Sequence, residues 1–187
     1  MRYFRPGVTM LISSLLLACS SSLEDYQDTT PTFDLPAYFS SDVSAWGIVQ
    51  DYSKQLSRRF CVDIVATWQG QQGQLHETFY YEDGEQQIRI WALTKEQDGS
   101  ISGSAGDVIG QASGRENGTA FNWQYTLRVP VGDTTYDLFV DDWMFRLDEN
   151  RVMNRSYMKK LGITVAEISI FFDKTPPLRK CQDNKAS

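Results

Sequence analysis

From Phe33 to about Lys174 apolar and polar residues alternate, and Gly, Asp or Asn interrupts the alternation at short intervals. A period of two puts successive side chains on opposite faces of a strand, so this texture predicts half-buried β-strands. Phe60, Val62, Ile64, Ala66 and Trp68 share one face, with Arg59, Asp63 and Thr67 on the other. Phe121, Trp123, Tyr125, Leu127 and Val129 repeat the pattern; Phe139, Trp143, Phe145 and Leu147 repeat it again, with Asp141 among them. Between the runs lie Gly70 to Gly73, Asp83-Gly84, Asp98-Gly99, Asn117-Gly118, Gly132-Asp133 and Glu149-Asn150. Each suits a hairpin, because Gly and Asn take positive φ at little cost. The expected fold is all-β: a single antiparallel up-and-down barrel of roughly eight to ten strands, over residues 33–175. Helix is scarce, with a short piece expected from Leu35 to Ser40 and a turn from Met158 to Leu161. Pro176-Pro177 ends the last strand, and residues 176–187 are expected to be a flexible tail.

The first residues have a different pattern. Arg2 and Arg5 precede an apolar run from Val8 to Ala18, followed by Cys19. That is the layout of an export signal over residues 1–18, and the run is short of the roughly 20 residues that span a bilayer. Leu16-Leu17-Ala18-Cys19 resembles the bacterial lipobox, which makes Cys19 the expected site of lipidation. More than one acyl chain makes such anchoring stable. Ser20 follows, where an aspartate would favour the inner membrane, so the expected location is the outer membrane, facing the periplasm. Residues 19–32, polar and turn-rich, are expected to be the anchor and a tether.

Composition narrows the partners. Removing residues 1–18 takes away two arginines and no acids, which makes the net charge of −6 more negative by two. An acidic chain without a basic stripe repels phosphate backbones, so nucleic acid is not an expected partner. With a single histidine, His76, and three cysteines, the chain lacks the usual parts of a zinc site or a Ser-His-Asp arrangement; no metal or cofactor is expected. Once Cys19 carries lipid, Cys61 and Cys181 remain, an even pair in an oxidising compartment. They form either a disulfide or two unpaired thiols.

The glycine-rich GSAGDVIGQASGRENG has no Gly-Lys-Ser/Thr ending and reads as bends and bulges, not a phosphate cradle. Asn154-Arg155-Ser156 matches a glycosylation acceptor pattern that means little in a bacterial lipoprotein.

Several stretches carry a resemblance: DYQDTTPTFDLPAYF, AWGIVQD, RRFCVDI, YYEDGEQQIRIWALTK and, above all, DDWMFRLDENRVMNRSYMKKLGITVAEISIFF. From about Asp25 to Lys174 the chain resembles a family of Gram-negative lipoproteins catalogued as a domain of unknown function, number thirty-eight thirty-three. The resemblance implies a lipocalin-like (calycin-type) barrel and a connection with envelope lipid metabolism, and it brings no assigned activity. Cys61 departs from the family, which more often has threonine there.

Side-chain parity suggests a site. Asp141 shares a face with Phe139, Trp143 and Phe145; Glu77 with Leu75, Phe79 and Tyr81; Arg89 with Trp91 and Leu93; Arg155 with Met153 and Tyr157. Asp142 falls on the opposite face of its strand. An inward carboxylate needs a donor, since burying it unpaired costs several kcal/mol or a large pKa shift. The expectation is an internal polar cluster of Glu77, Arg89, Asp141 and Arg155, with Tyr125 as a further donor, walled by Trp68, Trp91, Trp123 and Trp143. Such a cluster fixes strand register or holds the head group of an amphipathic ligand. Three functions follow: a carrier of a lipid or small apolar ligand, a structural or assembly lipoprotein, or an enzyme using Asp141 and Glu77 as acid and base.

Overall fold

In the computed structural model, which describes residues 21–181, ten strands close into one antiparallel barrel. The strands are β1 Val43–Asp51, β2 Leu56–Gln69, β3 Gln72–Tyr81, β4 Gln86–Lys95 and β5 Ile101–Ser104, then β6 Val108–Asn117, β7 Ala120–Val131, β8 Thr134–Arg146, β9 Arg151–Lys160 and β10 Ile163–Asp173. Each pairs with its neighbours in sequence, and β1 closes on β10 from Ser44↔Asp173 to Asp51↔Ala166. This is the up-and-down antiparallel barrel expected, at the upper end of the strand count. Closure leaves no sheet edge to pair with another chain. The expected turns at Gly70, Gly84, Gly99, Gly118 and Gly132 all have positive φ. The turn expected from Met158 comes later: β9 runs through Lys160 and reverses at Leu161 and Gly162. The export signal and Cys19 lie outside the described residues.

The two ends of the barrel differ. At one, a short helix α1, Leu35–Tyr38, begins at Asp34, whose carboxylate accepts from the Ala37 amide, with Pro36 in the first turn. These residues satisfy and pre-shape a helix start. The helix pushes Phe33, Leu35, Tyr38 and Phe39 into the barrel, where they are almost wholly buried. Phe33 stacks on Phe121 at 5.7 Å, and Phe39 meets Phe172 edge-on at 6.1 Å. Large rings packed this way supply much of a core's burial energy. At the other end the loops after β1, β3, β5, β7 and β9 surround an opening lined by Arg58, Glu85, Arg128 and Val131.

Both segments flanking the barrel are pinned to it. Leu23–Tyr26 forms a 3-10 turn against the outside of the closed end: Asn117 donates to the Leu23 carbonyl at 3.0 Å, and the Tyr26 ring lies 5.4 Å from Phe145. Gly118 is required here, since its φ is +53° and a Cβ would collide with the Tyr26 carbonyl. Residues 23–32, expected to be a tether, are therefore part of the wall. Cys61 and Cys181 are joined by a disulfide, with Cα atoms 5.8 Å apart. The Cys181 amide donates to Asp63 at 3.0 Å, and the Ser44 hydroxyl donates to the same carboxylate at 3.1 Å. The stretch expected to be a flexible tail is fixed at residue 181.

Candidate functional site

Above the aromatic plug the barrel is hollow. The cavity has a volume of about 780 Å³, within the ~300–1,000 Å³ typical of ligand pockets. Its wall is largely apolar, from Phe60, Phe79, Trp91, Trp123, Val140 and Ile168, with a small set of polar groups among them.

The register positions those groups. Glu77 on β3 is the cross-strand partner of Arg89 on β4, and both point inward. The Arg89 guanidinium forks onto Asp107 in the β5–β6 turn, with Nε 3.0 Å and Nη2 2.7 Å from Oδ2. Its remaining Nη1 lies 3.8 Å from Glu77 Oε2, and its carbon sits 5.2 Å from the centre of the Phe79 ring. Across the cavity Asp142 on β8 accepts hydrogen bonds from Asn154 on β9 and from the Tyr125 hydroxyl at 3.5 Å. Ser156 donates to Asn154 at 3.2 Å. The Tyr125 ring meets Trp91 edge-on at 5.4 Å.

Burial dominates the electrostatics here, because a low-dielectric wall disfavours charge. It pushes the Glu77 carboxyl up to about 7, with Arg89 pulling the other way and Asp107 and Asp142 adding to the rise. Burial likewise raises Asp142 to about 6, opposed by hydrogen bonds from Asn154, Ser156 and Tyr125. Burial, then the Asp142 charge, takes the Tyr125 hydroxyl well above its ordinary value. Arg89 is buried too, but Glu77 and Asp107 outweigh desolvation and hold its guanidinium charged.

The structure brings together Glu77, Arg89, Tyr125, Trp91 and Trp123 of the expected cluster. It does not bring in Asp141, Arg155, Trp143 or Trp68. Asp141 faces outward, where burial works against its charge but Lys159 at 2.9 Å and Asn122 at 3.0 Å hold its pKa below the ordinary value. Arg155 is also outside, paired with Glu167 at 2.7 Å. Trp143 stacks on Phe145 under Tyr26 on the outer wall. Trp68 belongs to the plugged end, where its indole donates to the Phe39 carbonyl at 3.1 Å.

The parity expected for β8 and β9 is thus reversed, and for a physical reason: the outer face carries its own aromatic cluster, covered by the N-terminal segment. Asp142 takes the inward position assigned to Asp141. Asp107, Asn154 and Ser156 were missed, Asp107 because it sits among turn glycines and the other two because they carry little apolar signal.

Residues 13–174 match the family described as "Protein of unknown function (DUF3833)". The chain belongs to this family. Its description assigns no activity to its members. No curated protein matches. Among solved structures, the chain is similar to apocrustacyanin C2, with 15% identity and a TM-score of 0.41 over 89% of this chain and 77% of that one. It is also similar to lobster apocrustacyanin A1, with 15% identity and a TM-score of 0.38 over 81% and 68%. The strand order and register by themselves define the closed barrel. The family resemblance read from the sequence holds over the whole barrel.

Proposed function

We propose that this family member is an envelope lipoprotein, anchored through Cys19 at the periplasmic face of the outer membrane, whose barrel binds or carries a lipid or another small apolar ligand. The observation that carries the reading is the hollow itself: an apolar chamber, plugged at one end, open at the other, with a few converging polar groups. A side-chain-filled interior would have favoured an assembly role through the outer surface instead. The acid–base pair first considered is ruled out by position, since Glu77 faces the cavity and Asp141 faces away from it.

Anchoring at Cys19 has a geometric consequence. Leu23 is docked at the closed end, and four residues reach at most ~14 Å. The plugged end then faces the anchoring membrane and the mouth points away from it, toward whatever delivers or receives the ligand. Native mass spectrometry of the chain isolated from its own membrane in mild detergent, followed by organic extraction, tests the reading. A bound apolar molecule is expected; preparations that are always empty, with no apolar probe taken up, would end it.

A further inference from the structure

The cations lining the cavity are already engaged. Arg89 is forked onto Asp107. At the mouth Arg58 lies 2.7 Å from Asp83 and 2.6 Å from Glu85, and Arg128 lies 3.0 Å from Asp137. The carboxyl groups are not matched in the same way. Asp142 is buried, and its hydrogen-bonding partners, Asn154 and Tyr125, are neutral. Glu77 makes only the 3.8 Å approach to a guanidinium that Asp107 already holds. Among the described residues, the deep cavity therefore pairs one cation with three carboxyl groups, inside a wall that is otherwise apolar.

That imbalance has a chemical reading. A carboxylate guest would meet two like charges with no free cation, whereas an ammonium would supply the missing counter-ion beside an apolar wall, where water screens it less than in bulk. Resting on the ligand-carrying reading above, we infer that the cavity selects amphiphiles whose apolar body ends in a protonated amine, held by Asp142 and Glu77, over those ending in a carboxylate.

Selection is pH-dependent through all the groups that face the pair. Glu77 looks onto Arg89 from β4, Asp107 from the β5–β6 turn, Tyr125 from β7 and Asp142 from β8; Ile64, its partner on β2, is apolar. Asp142 looks onto Tyr125, Asn154 and Ser156 and feels the charge of Asp141 through the wall. In the empty barrel near neutrality the two carboxyl groups hold protons part of the time, and an ammonium guest displaces them. The amine then binds more tightly as pH rises, because fewer protons remain to be expelled.

The test uses the full chain with Cys19→Ala, which removes the proposed lipid and leaves every described residue in place. The neutral probe N-phenyl-1-naphthylamine is bound first, then displaced by dodecylamine, dodecanol or dodecanoate at about pH 8 and about pH 5. At the higher pH dodecylamine is expected to displace the probe at roughly tenfold lower concentration than dodecanol, with dodecanoate weakest. At the lower pH the gap between amine and alcohol narrows. Asp142→Asn and Glu77→Gln, checked for folding by near-ultraviolet circular dichroism, lower the amine's advantage, and the outward Asp141→Asn, whose charge reaches Asp142 only through the wall, changes it far less than either. Displacement by lysophosphatidylethanolamine as well would place the amine on a membrane lipid; displacement by dodecylamine without it would place the amine on a simpler amphiphile. Equal affinity for amine and alcohol at the higher pH, or dodecanoate binding as tightly as the amine, overturns the inference while leaving a ligand carrier. No probe binding at all overturns the carrier reading with it. The pH comparison on the unsubstituted cavity decides the matter even if neither inward variant folds.

Discussion

The plugged end and the hollow half of this barrel are built from the same strands to opposite specifications. At the plugged end Phe33, Tyr38, Phe39 and Phe121 interlock, Trp68 caps a carbonyl, and the Cys61–Cys181 bridge fastens the last described residue to the wall. In the hollow half, a few residues further along β3, β7 and β8, rings line a space they do not fill, and Asp142 and Glu77 are buried with less compensation than a stable core would give them. Natural proteins concentrate such imperfect solutions at functional sites. On the proposed function, stability and ligand selection are carried by separate stretches of the same strands, so they should respond to different substitutions.

The sharpest way to break that comparison is to damage the plug. Tyr38→Ala removes a wholly buried ring and its hydrogen bond to the Asn150 carbonyl. It should cost about 3–5 kcal/mol in urea unfolding, while the preference among bound amphiphiles is kept in whatever fraction stays folded. Replacing Cys61 and Cys181 by serine comes next. The bridge closes a span of 120 residues, and its loss should cost about 2–4 kcal/mol, again without changing selectivity.

The hollow half should show its character in pH dependence. Glu77 and Asp142 have folded pKa values above their ordinary ones, so the folded chain binds more protons than the unfolded chain between about pH 4 and about pH 7. Stability from these groups is greatest below that window and falls as pH rises through it. Glu77→Gln or Asp142→Asn should remove up to about 3 kcal/mol of that fall each, leaving the variants more stable than the native chain at about pH 8. Thermal melts across the range check this, and the difference between native and variant curves cancels the exposed carboxylates common to both. Variants that lose stability equally at every pH would show these carboxyl groups to be ordinary structural ties. The smallest effect is expected for Asp141→Asn, which loses one partly exposed ion pair with Lys159 and should cost about 1 kcal/mol or less.

Much of the barrel was legible in the sequence. Alternation and turn residues were enough for a single antiparallel barrel, and β3, β4 and β7 were oriented correctly because one face of each is plainly more apolar. β8 was not, since Phe139, Trp143 and Phe145 outside rival Leu138, Val140 and Met144 inside. The rings outside answer to Tyr26, a contact more than a hundred positions away in the chain. A local signal did exist: counting outward from the two-residue turn Gly132-Asp133 pairs Val131 with Thr134 and then Trp123 with Asp142. Trp123 faces in, and its cross-strand partner must share that face. Asp107 offered no such route, because its inward turn depends on Arg89 reaching it from another hairpin.

Trp91 and Trp123 face the hollow proposed to admit an amphiphile, while Trp143 lies outside it. The most direct measurement is nuclear magnetic resonance of the indole N–H signals with a nitroxide-labelled dodecyl amine added. The account predicts strong broadening at Trp91 and Trp123 and little at Trp143; broadening at Trp143 with Trp91 and Trp123 untouched would contradict it.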